Sequence, residues 1–201
     1  MPGIGLNFPT TFPRKKRGQW SSCVLLGVML ALLLQPVAWG VLAAEPELPR
    51  EARIKAVLIL RMIKFVEWPA EALVKPDPLQ ICIWGDGPTS AALQNLQGQK
   101  VREHDVRVRK LPPSAGPDTR GCHVLYVAEA ARAEVSANTL YGAGSKSLLT
   151  ISDMPDFGKR GGIISLVQQE NKIGFEVQLR PARAGGLKIG APLLELARMV
   201  E

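Results

Sequence analysis

Leu79-Gln80-Ile81-Cys82-Ile83-Trp84-Gly85-Asp86-Gly87 is the stretch whose reading decides the fold. It is a short apolar run, rich in β-branched and aromatic residues, that stops in a Gly-Asp-Gly-Pro88 turn. That pattern predicts a strand buried inside a sheet, followed by a loop into a helix. Cys82 sits in its middle. Beyond the first two dozen residues the other cysteine is Cys122, at the mouth of a second such run, Cys122-His-Val-Leu-Tyr-Val127. If the two strands are neighbours, a disulfide can tie them, provided the compartment is oxidising. The N-terminus speaks to that.

Arg14, Lys15, Lys16 and Arg17 precede an apolar stretch from Val24 to Leu34, and Pro36 follows. Small residues come next at Ala38, Gly40, Ala43 and Ala44, just before Glu45-Pro46. Basic end, apolar middle and small-residue end is the order of a secretory signal peptide. The expected cut is after Ala43 or Ala44, giving a signal peptide at 1–44 and a mature domain at 45–201. The competing reading is an uncleaved anchor, because Val24 to Ala44 is nearly long enough to span a bilayer. Pro36 and the small residues favour processing. Cys23 precedes the apolar run and leaves with the leader.

The whole chain has 201 residues and a formal charge of +7. Without residues 1–44, 21 basic and 18 acidic side chains remain, a net of +3. Nucleic-acid binding thereby loses its main support. Export would make Cys82–Cys122 a structural disulfide and not a catalytic or metal pair. Closing a loop of about 41 residues stabilises by roughly 4 kcal/mol in the chain-entropy treatment. Export also removes ATP and NAD(P) from consideration, and no cofactor is expected.

The mature chain then alternates helices and strands. Glu51 to Val66 has no Gly or Pro and reads as a helix. At about 100° per residue, Ile54, Leu58, Met62 and Phe65 form one apolar side. Ala56, Ile59, Ile63 and Val66 form an adjoining one. So wide an apolar arc implies burial between the sheet and the C-terminal region, or a second side, Ile59 and Ile63 included, that meets another chain. Trp68-Pro69 is expected to stop the helix. After the strand at Leu79, Thr89 is a candidate N-cap for a helix to about Gln97. A strand is expected at Val106–Lys110, a turn at Leu111–Pro117, and a helix from about Glu129 to Tyr141. Ser147–Ser152 follows as a strand. A hairpin pairs Ile163–Gln168 with Ile173–Leu179 through a turn at Gln169–Lys172. In its second arm Ile173, Phe175, Val177 and Leu179 alternate with Gly174, Glu176 and Gln178, giving one covered face and one wet face. Pro192 opens a final helix expected to bury Leu193, Leu196, Ala197 and Val200. The expectation is a single three-layer α/β/α domain with a mixed sheet.

Chemistry is sparse. Gly85-Asp-Gly87 lacks the third glycine of a dinucleotide loop and reads as a tight βα turn. Gly142-Ala-Gly-Ser-Lys-Ser147 follows a helix and reads as its stop. His104 and His123 do not have metal-ligand spacing, and His123 is expected to pack at a strand end. Asp153 and Asp156 are explained by turn capping. No nucleophile, base and oxyanion donor assemble, so neither an enzyme nor a metal site is expected. Arg180, Arg183 and Lys188 cluster beside Glu176 and Gln178 and could hold a small anion or a partner carboxylate.

Lys64-Phe-Val-Glu-Trp-Pro69, Ile81-Cys-Ile-Trp-Gly85, Cys122-His-Val-Leu-Tyr126, Leu149-Thr-Ile-Ser-Asp153 with Phe157, Gly161-Gly162-Ile163 and Phe175-Glu-Val-Gln-Leu179 occur in that order. With Gly186-Leu-Lys-Ile189 and Leu193-Leu-Glu-Leu-Ala197, the set resembles the YfiR family of periplasmic proteins over about residues 52–200. The resemblance implies a secreted α/β protein that binds the periplasmic sensor domain of an inner-membrane diguanylate cyclase and holds it inactive. It also implies an outer-membrane lipoprotein that can sequester the repressor. Cys82 and Cys122 take the place of the family's structural disulfide. A second cysteine pair, linked in some members to redox control, is missing from Phe157 to Ser165, and Gln178 stands where many members have Asn.

The leading expectation is therefore a periplasmic binding protein that lowers cyclic-di-GMP and biofilm formation by repressing a cyclase through contact. Ile59, Ile63, Glu176, Gln178, Arg180 and Arg183 are its candidate partner-binding residues, and a homodimer remains open. The alternative is a periplasmic small-ligand-binding protein with a pocket near Arg180 and Arg183.

Overall fold

The computed structural model describes residues 47–113, 116–141, 146–169 and 172–199, all within the second of the chain's two units, Pro46–Glu201. The expected leader at 1–44, the helix stop at 142–145, the centre of the hairpin turn at 170–171 and Val200 lie outside the described residues.

The architecture is α/β. Helix α1 (Arg50–Ile63) leads into a two-residue strand β1 (Val66–Glu67). Then come β2 (Leu79–Trp84), α2 (Pro88–Gln94), β3 (Lys100–Val101), β4 (His104–Lys110) and β5 (Val124–Val127). A 3-10 helix (Glu129–Glu134) and α3 (Ala137–Tyr141) precede β6 (Leu149–Ser152), and a 3-10 turn (Gly158–Arg160) precedes β7 (Ile164–Gln169). The chain closes with β8 (Lys172–Val177), α4 (Leu179–Ala184), β9 (Lys188–Ile189), α5 (Ala191–Leu196) and β10 (Arg198–Met199). Eight strands form a mixed sheet in the order β10-β8-β7-β6-β5-β2-β4-β3. β4, β2, β5, β6 and β7 run parallel, and β8 turns back antiparallel. The smaller β1 and β9 pair with each other, Val66 opposite Ile189.

Strand periodicity sorts the side chains into two cores. Ile81, Ile83, Val124, Tyr126, Leu149 and Ile151 join the core that holds α1 and α2 residues. Cys82, Trp84, Leu125 and Val127 join the other, with Ala131, Val135 and Leu140. Both faces of the sheet are therefore covered, the condition for β2 and β5 to be apolar throughout. The three-layer reading is right.

Several local expectations are corrected by tertiary contacts. Ile59 and Ile63 are wholly buried in the sheet-facing core. They cannot meet a partner; α1 turns its other side outward. The helix also ends at Ile63, earlier than Trp68-Pro69 would require, because Val66–Glu67 is taken into strand pairing with Lys188–Ile189. Thr89 is not the N-cap of α2. Gly87 holds that position with Pro88 behind it, and the Thr89 hydroxyl donates to Asp153 instead. The expected helix at 129–141 breaks at Val135, whose backbone is extended. Ser136 and Thr139 then restart it through reciprocal bonds between each side chain and the other's backbone N–H, of 2.8 and 3.2 Å. The second hairpin arm ends at Val177, because Leu179 begins α4. Leu193 is buried as expected, whereas Leu196 is 76 % exposed. After it the chain leaves the helix to add β10 beside β8, a strand the sequence pattern does not announce.

Candidate functional site

The order of the sheet reverses between β2 and β5: β2 connects to β4 on one side, while β5, β6 and β7 build outward on the other. In open parallel sheets the carboxyl ends at such a point form the usual ligand crevice. Here the crevice is filled by the chain itself. Gly85 has φ +90°, and a Cβ built on it would lie 3.2 Å from the Ala128 Cβ and 3.3 Å from the Ala131 Cβ. The Gly85-Asp-Gly87 turn is thus a close packing turn, as the missing third glycine implies.

Beside it lies a polar cluster that joins distant parts of the chain, and the sequence did not single it out. Lys55 Nζ of α1 donates to Asp153 Oδ2 at 2.8 Å and also meets Glu51 Oε1 at 2.8 Å. Tyr126 at the end of β5 donates its hydroxyl to Asp153 Oδ1 at 2.6 Å, and Thr89 of α2 donates to Oδ2 at 3.2 Å. Burial opposes the Asp153 charge, but the bonds from Lys55 and Tyr126 outweigh it, and the carboxyl stays below its ordinary range. Burial likewise opposes the Lys55 ammonium, yet the two carboxylates raise its pKa. Burial, with the adjacent Asp153 charge, drives the Tyr126 phenol strongly upward. Both oxygens of Asp153 are committed, so the cluster is a tether joining α1, α2, β5 and β6. Asp156, expected to cap a turn, pairs with Lys159 at 2.8 Å on the surface.

Cys82 and Cys122 are bonded, with Cα atoms 5.8 Å apart, and both are buried. Arg109 on β4 reaches over them, its Nη2 3.2 Å from Cys122 Sγ and 2.9 Å from the Arg120 carbonyl. His123, next in sequence, packs at the strand end as expected. Its Nδ1 accepts the Gln80 N–H at 2.8 Å, so the ring proton is on Nε2, which donates to the Ala72 carbonyl at 2.9 Å. Burial lowers the His123 pKa. The ring is held neutral, and the folded state resists its protonation. That stability term is complete above the ordinary His pKa of 6.5 and is lost as pH falls below it. The loss is at most about 1.4 kcal/mol per pH unit. Urea midpoints at mildly acidic and neutral pH should show this slope, and His123→Gln should flatten it.

A cleft of about 290 Å³ opens near the start of β2, lined among others by Val66, Glu67, Trp68, Leu73, Arg102 and His104. Arg102 is in the left-handed backbone region, φ 53°, and its Nε donates to the Lys64 carbonyl at 3.0 Å. Neither Arg180 nor Arg183 lines this cleft. Both are exposed on α4, with Lys188 exposed on β9, while Glu176 and Gln178 are half-buried. Gln178 is drawn inward against Gly158, where an added Cβ would come within 2.8 Å of Gln178 Nε2. The wet face of β8 is narrower than strand alternation alone implies.

The outward side of α1 and the turn after it carry apolar residues, of which the sequence pattern placed Ile54, Leu58 and Phe65 on one apolar side and did not single out Val57. Ile54 is 45 %, Val57 47 % and Phe65 40 % exposed, and Leu58 beside them is half-buried. No helix of the described residues is long and apolar enough to cross a membrane.

The profile of the YfiR/HmsC-like family matches residues 52–198. No curated protein matches the sequence. Among solved structures, the crystal structure of a conserved domain protein from Vibrio cholerae O1 biovar El Tor str. N16961 is similar, with a TM-score of 0.50 and 12 % identity. The likeness covers 75 % of this chain and 60 % of that one, and at this identity it concerns the fold alone.

Proposed function

Since the chain belongs to the YfiR/HmsC-like family, we propose that it is a periplasmic regulator that represses an inner-membrane diguanylate cyclase by direct contact with the cyclase's periplasmic sensor domain. The consequence is lower cyclic-di-GMP inside the cell and less biofilm. The observation that carries the reading is the extent of the family match, residues 52–198, which takes in nearly every described element. The buried Cys82–Cys122 bond supports an oxidising location. The main polar cluster is consumed in joining helices to strands, which suits a rigid docking body and leaves no step of chemistry for it to perform. The exposed Arg180 and Arg183, with the half-buried Glu176 and Gln178 nearby, remain candidate contacts. Charged residues there would set orientation and association rate more than affinity. An outer-membrane lipoprotein that sequesters the repressor would release the cyclase.

Deletion of the gene is expected to raise cellular cyclic-di-GMP several-fold and to increase surface attachment, both restored by the intact chain and not by a chain lacking its leader. Unchanged cyclic-di-GMP in the deletion strain would overturn the proposal. A second reading, small-ligand binding, draws on the cleft beside Trp68 and Arg102. Stabilisation in a thermal-shift screen of small metabolites, lost in Trp68→Ala, would favour that reading.

A further inference from the structure

The outward face of α1 combines two features that seldom occur together on a solvated helix. Ile54, Val57, Leu58 and Arg61 follow helical spacing on one side, Phe65 extends the line from the turn after Ile63, and three of the four apolar members are at least 40 % exposed. They form a seam of the kind one helix offers another. The seam's charged neighbours are almost all of one sign. Arg50, Arg61 and Lys64 are exposed and have no ion pair among the described residues, and Arg53 is held by Glu47 at 2.9 Å. Glu51, the acidic residue at the margin, is drawn to Lys55 and the Asp153 tether. The face is therefore apolar along its middle and cationic along one flank, with Arg61 interrupting the seam itself.

We infer that this face docks an acidic amphipathic helix: a protein segment with an apolar seam and a carboxylate placed to meet Arg61. This rests on the contact-repressor reading and names the chemistry of the partner's surface. Two other occupants fit less well. A second copy of this chain, docked about a two-fold axis, would bring the Arg61 and Lys64 groups of both copies together in a desolvating interface. A lipid surface favours apolar side chains that protrude well into the acyl boundary. Here each is more than half covered by its neighbours, flush with the helix surface, which suits side-chain interdigitation with a facing helix.

The test uses the protein purified as the cell produces it and three probes. These are a helical peptide with a leucine seam flanked by glutamates, the same peptide with lysines in their place, and phosphatidylglycerol vesicles. The acidic peptide is expected to bind at least tenfold more tightly than the basic one, and Arg61→Glu with Lys64→Glu is expected to invert that order. Val57→Asp is expected to abolish binding of either peptide. Its melting temperature should stay within about 4 °C of the parent, since the site is exposed. Equal binding of both peptides, binding of neither, preferential capture by vesicles, or a dimer dispersed by Val57→Asp would each overturn the inference. A cell-based arm separates this from the parent reading. If deletion raises cyclic-di-GMP while Val57→Asp represses normally, the docking face is wrong and the repressor reading stands. If the peptide order inverts as stated but deletion leaves cyclic-di-GMP unchanged, the face is right and the cyclase is not its target.

Discussion

Replacing both Cys82 and Cys122 with serine is expected to remove about 4 kcal/mol of unfolding free energy. The bond closes a segment with a sequence separation of 40. That length sets the entropy removed from the unfolded chain. The folded side adds to it: both sulfurs are buried in the second core, and hydroxyls put there must find partners. Arg109 offers a donor to one of them, where its Nη2 is 3.2 Å from Cys122 Sγ. Reductant added to the parent protein should also lower its urea midpoint, by less than the double substitution does, because buried thiols add no hydroxyls. A midpoint insensitive to reductant would show that the reduced chain keeps the same constraint by other means.

Asp153→Ala is expected to cost about 3 kcal/mol. The carboxylate and Lys55 are each about 15 % exposed at the side chain, and removing one leaves the other poorly solvated. Glu51 retains part of the Lys55 charge, which keeps the loss below that of an isolated buried ion. Lys55→Met combined with Asp153→Leu is expected to recover most of it, because an apolar pair needs no solvation. The pH dependence follows from the direction of each shift. Asp153 is held below its ordinary 3.8, so its contribution is present above that pH and disappears as acid protonates the folded carboxyl. Lys55 is raised above 10.5, so its contribution is present below that pH and disappears as alkali titrates the folded ammonium. Between those limits the pair gives a plateau. The His123 slope in mild acid adds to it and should vanish independently in His123→Gln.

Those residues also mark what was legible in the sequence. The Leu79–Trp84 and Cys122–Val127 runs are apolar because both faces of β2 and β5 are covered, so their burial could be read from pattern, whereas their adjacency was only a condition and the disulfide rested on the leader and the family resemblance. The α1 helix was equally plain, but its facing was not. Ile54 and Ile59 have the same hydrophobicity, and the choice of which is buried was made by where the sheet lies. The Lys55–Asp153 pair was invisible because two charged residues 98 positions apart carry no periodic signal. Asp153, read as a turn cap, takes a tertiary partner that outcompetes local bonding. The same holds for Thr89, Val66 and the strand after Leu196. In each case a residue with a good local role was claimed by a distant strand or charge.

The span of 98 residues between Lys55 and its carboxylate has a consequence for the order of assembly. A ribosome adding roughly 5–20 residues per second needs about 5–20 s to deliver the second half of that pair. Through that interval the Lys55 ammonium has only Glu51 to answer it. Residues of β2 and α2 can cover the apolar side of α1 earlier, but the polar tether closes only when Asp153 arrives, so nascent chains halted before Asp153 should be more readily digested by protease than chains halted after it.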